Sequence, residues 1–465
     1  MTTEVVNRTW AAAALMVAVG MGTIADHSMV LAAVPVEIQR SYDSRQYQTV
    51  LDEIAKLDGA SSSASDVRRL KVRSLLKLGN PKEALEEYDR LERAANQDEM
   101  PLLREVALGF ITVMLKDMRE QMRGAAFTAL KEADSEEVIP YFEDGLSDGS
   151  GPVRMLAVEG LSRTETGRRS PKLRAALDDQ AGLVKARVVK ALGHSTDPSV
   201  VPLLEAASKD ELPTVRIAAF GALLRHGRKE AWDALRRAAD AVNPEDRAEA
   251  IRVMADVKDR RAVPVMLEAL SYKQPSVRGA AARGLGHLGR REAREDIQRL
   301  LRDPVPAVRE AAASALADLG DEASVPALEQ ALQDGAFSVR AASAAALLQL
   351  GQPFEAVAPT VRGLTQQSDP GARASAAHAL GRASKGNVAG ALSFLGNLAT
   401  DPLPGPKIVA VRSLGRIGDP SVLPLMKEAL HDQNEAVRTT AGGAILRLQQ
   451  GKRSPKSGFQ PVVGN

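Results

Sequence analysis

The sequence predicts an all-α protein: a solenoid of paired helices preceded by a short set of helical hairpins. Three observations lead there. One basic residue recurs at a spacing of 31 through most of the chain. Small and large apolar residues recur in a fixed frame behind it, and Pro and Gly punctuate each unit where helices would start and stop. The chain has 465 residues, too many for one compact core. With 44% apolar and 26% charged residues it is also too apolar to be disordered throughout.

Residues 9–25, TWAAAALMVAVGMGTIA, carry no charge and follow Arg8. Small residues offer cleavage points after Ala25 or after Ala32 and Ala33. This is the order of a secretory signal, so residues 1–33 are expected to be a signal peptide or, if uncleaved, an N-terminal anchor. The expected location is the periplasm or cell envelope, with the cytoplasm as the alternative. No later stretch is long and apolar enough to span a bilayer, so the mature chain is expected to have no membrane span.

From 36 to 98 the pattern is amphipathic helix. In Leu75–Ala94 the chain reads LLKLGNPKEALEEYDRLERA, with Gly79-Asn80-Pro81 as a stop and restart. Ala84 permits close helix approach and Tyr88 fills the groove one turn later. The spacing of Gly79, Ala84, Tyr88 and Leu91 resembles a tetratricopeptide helix pair, although Val72 stands where that family prefers a smaller residue. A weaker copy precedes it at Arg45–Leu57, and the Ser-rich stretch Ala60–Ser65 is expected to be a flexible joint.

The array occupies 101–450. Its marks are Arg123, Arg154, Lys185, Arg216, Arg247, Arg278, Arg309 and Arg340, then Arg373, Lys407 and Arg438 after two longer intervals. They define eleven units, numbered here 1 to 11. Three positions past each mark stands a small residue, Ala in nine units, Val188 and Ser343 in the others. Seven positions past it stands Leu, Met254 or Ile445. Offsets of three and seven share one helical face, so helix B of each unit has a face that is first small, then large. Fourteen positions before the mark, Pro140, Pro171, Pro202, Pro264, Pro326, Pro359 and Pro424 suit the first turn of a helix A. Gly193, Gly227, Gly289, Gly320, Gly351 and Gly418 suit the end of helix B. Six positions before the mark, Asp117, Asp148, Asp179, Asp210, Asp303, Asp334, Asp401 and Asp432 place a carboxylate in the A–B turn. A column that recurs through the array is expected to cap helices and pair adjacent turns; a catalytic site would be local. The tail 451–465 is basic, lacks helical period and is expected to be disordered.

The unit D-x-x-x-x-V-R-x-A-A-x-x-A-L-x-x-L-G, seen almost intact in 303–320 and 334–351, resembles the HEAT-like repeat of phycobilisome lyases. The resemblance implies a right-handed α-solenoid. It also admits several functions: bilin lyases, an iron hydroxylase and plain binding scaffolds. The hydroxylase branch, deoxyhypusine hydroxylase, holds iron through His-Glu pairs. Here His27, His194, His226, His287, His378 and His431 are followed by Ser, Ser, Gly, Leu, Ala and Asp. That activity is therefore not carried over. With Trp10 and Trp232 as the only tryptophans, a tetrapyrrole pocket is disfavoured too.

Other motifs dissolve into the repeat. Gly145-Leu146-Ser147-Asp148-Gly149 imitates a nucleophile elbow, but no strand precedes it and Asp148 belongs to the turn column. Gly284–Gly289 imitates a dinucleotide fingerprint from inside a helix B. There is no cysteine for a thiolate, disulfide or sulfur-ligated metal. No catalytic, cofactor-binding or metal-ligating residue can be named, and no cofactor is implied. The net charge of +2 and 3% aromatics speak against nucleic acid as the partner. The expected function is a non-catalytic scaffold that binds a protein or peptide along helix B of the solenoid. The alternative is a divergent catalytic relative, of the hydroxylase or lyase kind.

Overall fold

The computed structural model describes residues 34–450, so the signal-like segment and the basic tail lie outside the described residues. Among the described residues all regular structure is helical. The chain is an α-solenoid of stacked hairpins, as the period predicts.

The N-terminal hairpins come first. Ser65–Lys77 and Pro81–Ala95 pair across a turn in which Gly79 takes φ +80°, a left-handed value that favours glycine. Ala84, Tyr88 and Leu91 are buried between the helices, and the Tyr88 hydroxyl donates to Asp98 at 3.0 Å. The Ser-rich joint is not a plain linker. Gly59–Ser62 forms one helical turn, because the Asp58 carboxylate accepts from the Ser61 amide at 2.7 Å and caps it.

Helix B of units 1 to 11 spans Glu120–Leu130, Gly151–Leu161, Gly182–Leu192, Pro213–Arg225, Pro244–Val257, Pro275–His287, Pro306–Leu319, Phe337–Gln349, Pro370–Leu380, Pro404–Ile417 and Glu435–Gln450. Each packs on the next. The small column forms this contact: all eleven residues, Ala126 through Ala441, are 0% exposed. The large column, Leu130 through Ile445, is buried throughout. Each such side chain contributes roughly 1.5–3 kcal/mol when fully covered. Helix A of each unit covers the outside.

Two punctuation marks act differently from expectation. Gly193 does cap the end of helix B of unit 3, but with an ordinary helical φ of −62°, and it is needed for space: a Cβ there would lie 2.5 Å from the Cβ of Ala222. Pro359 sits inside helix A of unit 9, Phe354–Thr365. In units 2, 4, 8 and 11 a 3₁₀ turn precedes the proline. In unit 9 regular helix already begins at Phe354, whose ring packs on Phe394 at 5.8 Å between centroids.

The aspartate and basic columns form one ladder. The basic residue of a unit pairs with the aspartate of the following unit: Arg123–Asp148, Arg154–Asp179, Lys185–Asp210, Arg278–Asp303, Arg309–Asp334, Arg373–Asp401 and Lys407–Asp432, all at 2.5–2.7 Å. The same arginine donates Nη1 to carbonyls of its own turn, as Arg154 does to Asp148 and Gly149. The aspartate accepts from the amide two residues on, as Asp179 does from Ala181. Each rung thus fastens two units and caps a helix. Where the aspartate is missing the rung changes. Arg247 lies over the Tyr272 ring, 4.2 Å from its centroid, an arrangement in which the guanidinium is held by the ring face.

The solenoid closes on itself, which the period alone does not predict. Helix B of unit 11, Glu435–Gln450, packs against both helices of unit 1, Met100–Thr112 and Glu120–Leu130. Glycines make the approach possible: a Cβ on Gly442 would stand 2.6 Å from the Ala107 carbonyl oxygen, and one on Gly443 3.0 Å from the Ala129 Cα. Ion pairs frame the seam, Arg447–Glu132 at 2.6 Å and Arg119 between Asp117 and Glu435 at 2.7 and 2.5 Å. Helix Pro81–Ala95 and the turn after it strap it from outside: Lys427 pairs with Glu92 and, at 2.9 Å, with Asp98, and His431 meets Asp89 at 3.0 Å. Eleven helices at ~8–10 Å spacing make a circle about 30 Å across, and subtracting a helix diameter of about 10 Å leaves an opening of about 20 Å.

Candidate binding surface: the inner wall of the ring

The inner wall is built from helix B, as expected. Counted from the unit's basic residue, positions −2, +2, +5 and +9 share one helical face. That face lines two hollows of about 670 and 530 Å³. The first spans units 2 to 6. The second spans units 7 to 10, on a floor of short side chains such as Ser338, Ala342 and Ala345.

Charge on this wall is uneven. In the first hollow Lys190 pairs with Asp256, and Arg225 donates to the Asp256 carbonyl at 2.6 Å. Desolvation holds Arg225 below its ordinary pKa despite Asp256 nearby. Arg283 is held down likewise, first by desolvation and then by Arg252. His194 is lowered to about 4 by desolvation and by the cations Arg225, Lys190 and Arg168. Its imidazole is neutral at pH 7.

In the second hollow His378, Arg382, Arg412 and Arg416 stand together at one end, and Glu310 and Asp318 line the other. Desolvation lowers the pKa of Arg416, and the neighbouring guanidinium groups of Arg382, Arg447 and Arg412 add to it against the pull of Glu132. His378 is lowered by desolvation, then by Arg416, Arg382 and Arg412.

The sequence motifs fall where the repeat frame puts them. His194, His287 and His378 face the inner wall. His226 ends helix B of unit 4, where its Nε2 is buried without a partner, and His431 pairs with Asp89 at the strap. Among the described residues no group of three or more His, Asp and Glu is placed to hold a metal ion. Ser147 follows a helix in a turn, and its neighbour Asp148 is committed to Arg123. Gly284–Gly286 lie within helix B of unit 6, where a Cβ on Gly286 would stand 2.7 Å from the Cα of Ala315. Trp232 carries Arg261 over its ring at 4.3 Å. The inner arginines escaped notice in the sequence because their columns vary from unit to unit. The signal was present, since +5 and +9 follow from the same frame as +3 and +7.

Ring closure, inward-facing B helices and a ladder of inter-unit ion pairs define the class: an α-helical tandem-repeat protein whose ends meet. The chain belongs to the HEAT-repeat family. Its repeat model matches 109–185, 170–243, 238–293, 273–349 and 392–456, about two thirds of the chain. The unmatched stretch 350–391 contains unit 9, the first of the lengthened units. No curated protein matches the sequence. Among solved structures, the CpcE–CpcF complex of phycocyanin lyase from Nostoc sp. PCC7120 is 21% identical, covering 46% of this chain and 93% of that one, with a TM-score of 0.35. Human deoxyhypusine hydroxylase is 18% identical over 64% of this chain and 98% of its own, TM-score 0.27. A Kap121p mutant is 12% identical over 87% and 54%, TM-score 0.36. At these TM-scores the likenesses carry no functional argument.

Proposed function

We propose that the protein is a non-catalytic scaffold that holds an extended segment of a partner polypeptide against the inner wall of its ring. The observation that supports this most is the continuous run of eleven B helices around an opening of about 20 Å, wide enough for an extended chain or a single helix of 10–12 Å. A solenoid surface of this kind offers a large area per residue for contact. The charged inner residues lie in broad, open hollows, which suits recognition of a chain better than enclosure of a small substrate. The signal-like N-terminus supports export to the periplasm or envelope, and the hairpins at 36–98 act as the strap that keeps the ring shut.

A photo-crosslinking residue placed at Ala345, on the inner wall, should trap the partner in intact cells. The same residue at Glu329, on the exposed helix A of unit 8, should not. Equal adducts from both positions, or stoichiometric iron in the purified protein, would overturn the reading. Fractionation that finds the full-length chain in the cytoplasm would remove the export part alone.

A further inference from the structure

We propose that the arginine cluster of units 9 to 11 docks an acidic segment of the partner polypeptide. The inference rests on the scaffold reading and names the chemistry of the segment held.

Most ladder cations at the A–B turns have an aspartate beside them. The inner cluster is the opposite case. Arg382 lies in the turn that follows helix B of unit 9, Arg412 and Arg416 lie one turn apart on helix B of unit 10, and Arg447 lies on helix B of unit 11. Arg382, Arg412 and Arg416 donate no hydrogen bond and form no ion pair among the described residues. Arg447 meets Glu132 across the seam at 2.6 Å. Like charges are gathered here with Glu132 as the one carboxylate acting against them at Arg416, and the pKa values of Arg416 and His378 are lowered first by desolvation and then by the neighbouring guanidinium groups. Such local conflict is expected where a fold is shaped for a ligand.

The hollow selects the kind of anion. From the arginines it continues across unit 8 over Ser338, Ala342 and Ala345 and ends at unit 7 on Glu310 and Asp318, so the guanidinium end alone takes the carboxylates of the segment. Four B helices at ~8–10 Å spacing give a track of roughly 25–30 Å, room for about eight extended residues. A free phosphate would use only one end of it. No Phe, Tyr or Trp lines the hollow, so a run of unpaired bases would find no stacking platform. A chain whose carboxylates meet the planar guanidinium forks, and whose remainder runs over the small-residue floor, uses all of it.

The test uses the full chain and a fluorescein-labelled decaglutamate peptide, followed by fluorescence anisotropy at low ionic strength. Saturable binding is expected, weakening as salt rises. The double charge reversal R412E/R416E should weaken it by at least about tenfold. Arg362→Glu, exposed on helix A of unit 9, should leave it unchanged. The proposal falls if decaglutamate does not bind, or binds the double variant as well as the parent. It falls in favour of nucleic acid if oligothymidylate of equal charge binds more tightly. It falls in favour of a small-anion site if inorganic phosphate displaces the peptide at matched charge concentration. A second measurement separates binding from a structural role: Arg416→Gln should unfold at the same temperature as the parent or higher, and a clear fall would overturn the proposal. If decaglutamate fails while Ala345 still crosslinks its partner, the scaffold reading stands and only the acidic segment is lost.

Discussion

Closure of the ring can be tested with one methyl group. Gly442 lies inside helix B of unit 11, where glycine costs roughly 0.5–1 kcal/mol of helix stability relative to alanine. If that helix were the free end of an open solenoid, Gly442→Ala would stabilise the protein by about that amount. In the closed ring the added Cβ would stand 2.6 Å from the Ala107 carbonyl oxygen and 3.2 Å from Ile111 Cγ1, where ordinary contact begins at 3.4 Å. The obstacle is backbone, which cannot swing aside, so the two helices must separate by some tenths of an ångström. Overpacking of this kind costs typically 1–3 kcal/mol. The net expectation is a loss of about 0–2 kcal/mol, opposite in sign to the propensity effect. Gly363→Ala is the matched control: it is exposed on helix A of unit 9, with nothing within 4 Å of the added Cβ, and should stabilise by about 0.5–1 kcal/mol. Denaturant unfolding followed by circular dichroism gives both values. Hydrogen exchange of Met100–Thr112 should accelerate in Gly442→Ala and stay unchanged in Gly363→Ala. If Gly442→Ala stabilises as much as the control, the ring is not closed in solution.

Other expectations follow from the ladder and the core. Asp179→Ala strands Arg154, whose side chain is 7% exposed, and should destabilise by about 3 kcal/mol; a loss under 1 kcal/mol in chemical denaturation would reduce the rung to a surface pair. The ladder carboxylates Asp148, Asp179, Asp210, Asp303, Asp334 and Asp401 are held below their ordinary pKa by their cations and turn amides. Burial opposes the charge of Glu165, but the Thr196 hydroxyl and amide with Arg168 and Arg169 bring it to about 2. A depressed folded-state pKa means stability present above the unfolded value near 4 and lost as pH falls through the folded value, so melting temperature should drop between pH 4 and 2; a flat profile there would refute the ladder's electrostatic role. Ser343 occupies the alanine column with a fully buried hydroxyl that has no partner, so Ser343→Ala should raise stability by about 1 kcal/mol in the same unfolding assay, and a loss would show that the hydroxyl is satisfied after all.

Local pattern decided much of this protein. The 31-residue spacing, the small and large columns and the Asp–basic pair already contain the hairpin, its buried face and its ion-pair ladder, because each depends on neighbours within a unit or one unit away. Gly227, Gly320 and Gly418 were legible as helix ends for the same reason: a left-handed φ is a local demand. Ring closure was not legible. It depends on a small rotation per unit summed over eleven units, and on glycines at 442 and 443 meeting two helices more than 300 residues earlier in the chain. Gly193 stands at a helix end as its column implies, but a close approach across units and a helix stop ask for the same residue, and here it is the approach that requires glycine. The inner arginine cluster belongs with closure. Arg382, Arg412, Arg416 and Arg447 are scattered over 66 positions, and only the curvature of the stacked helices brings the first three to one hollow and Arg447 close to Arg416 beside it.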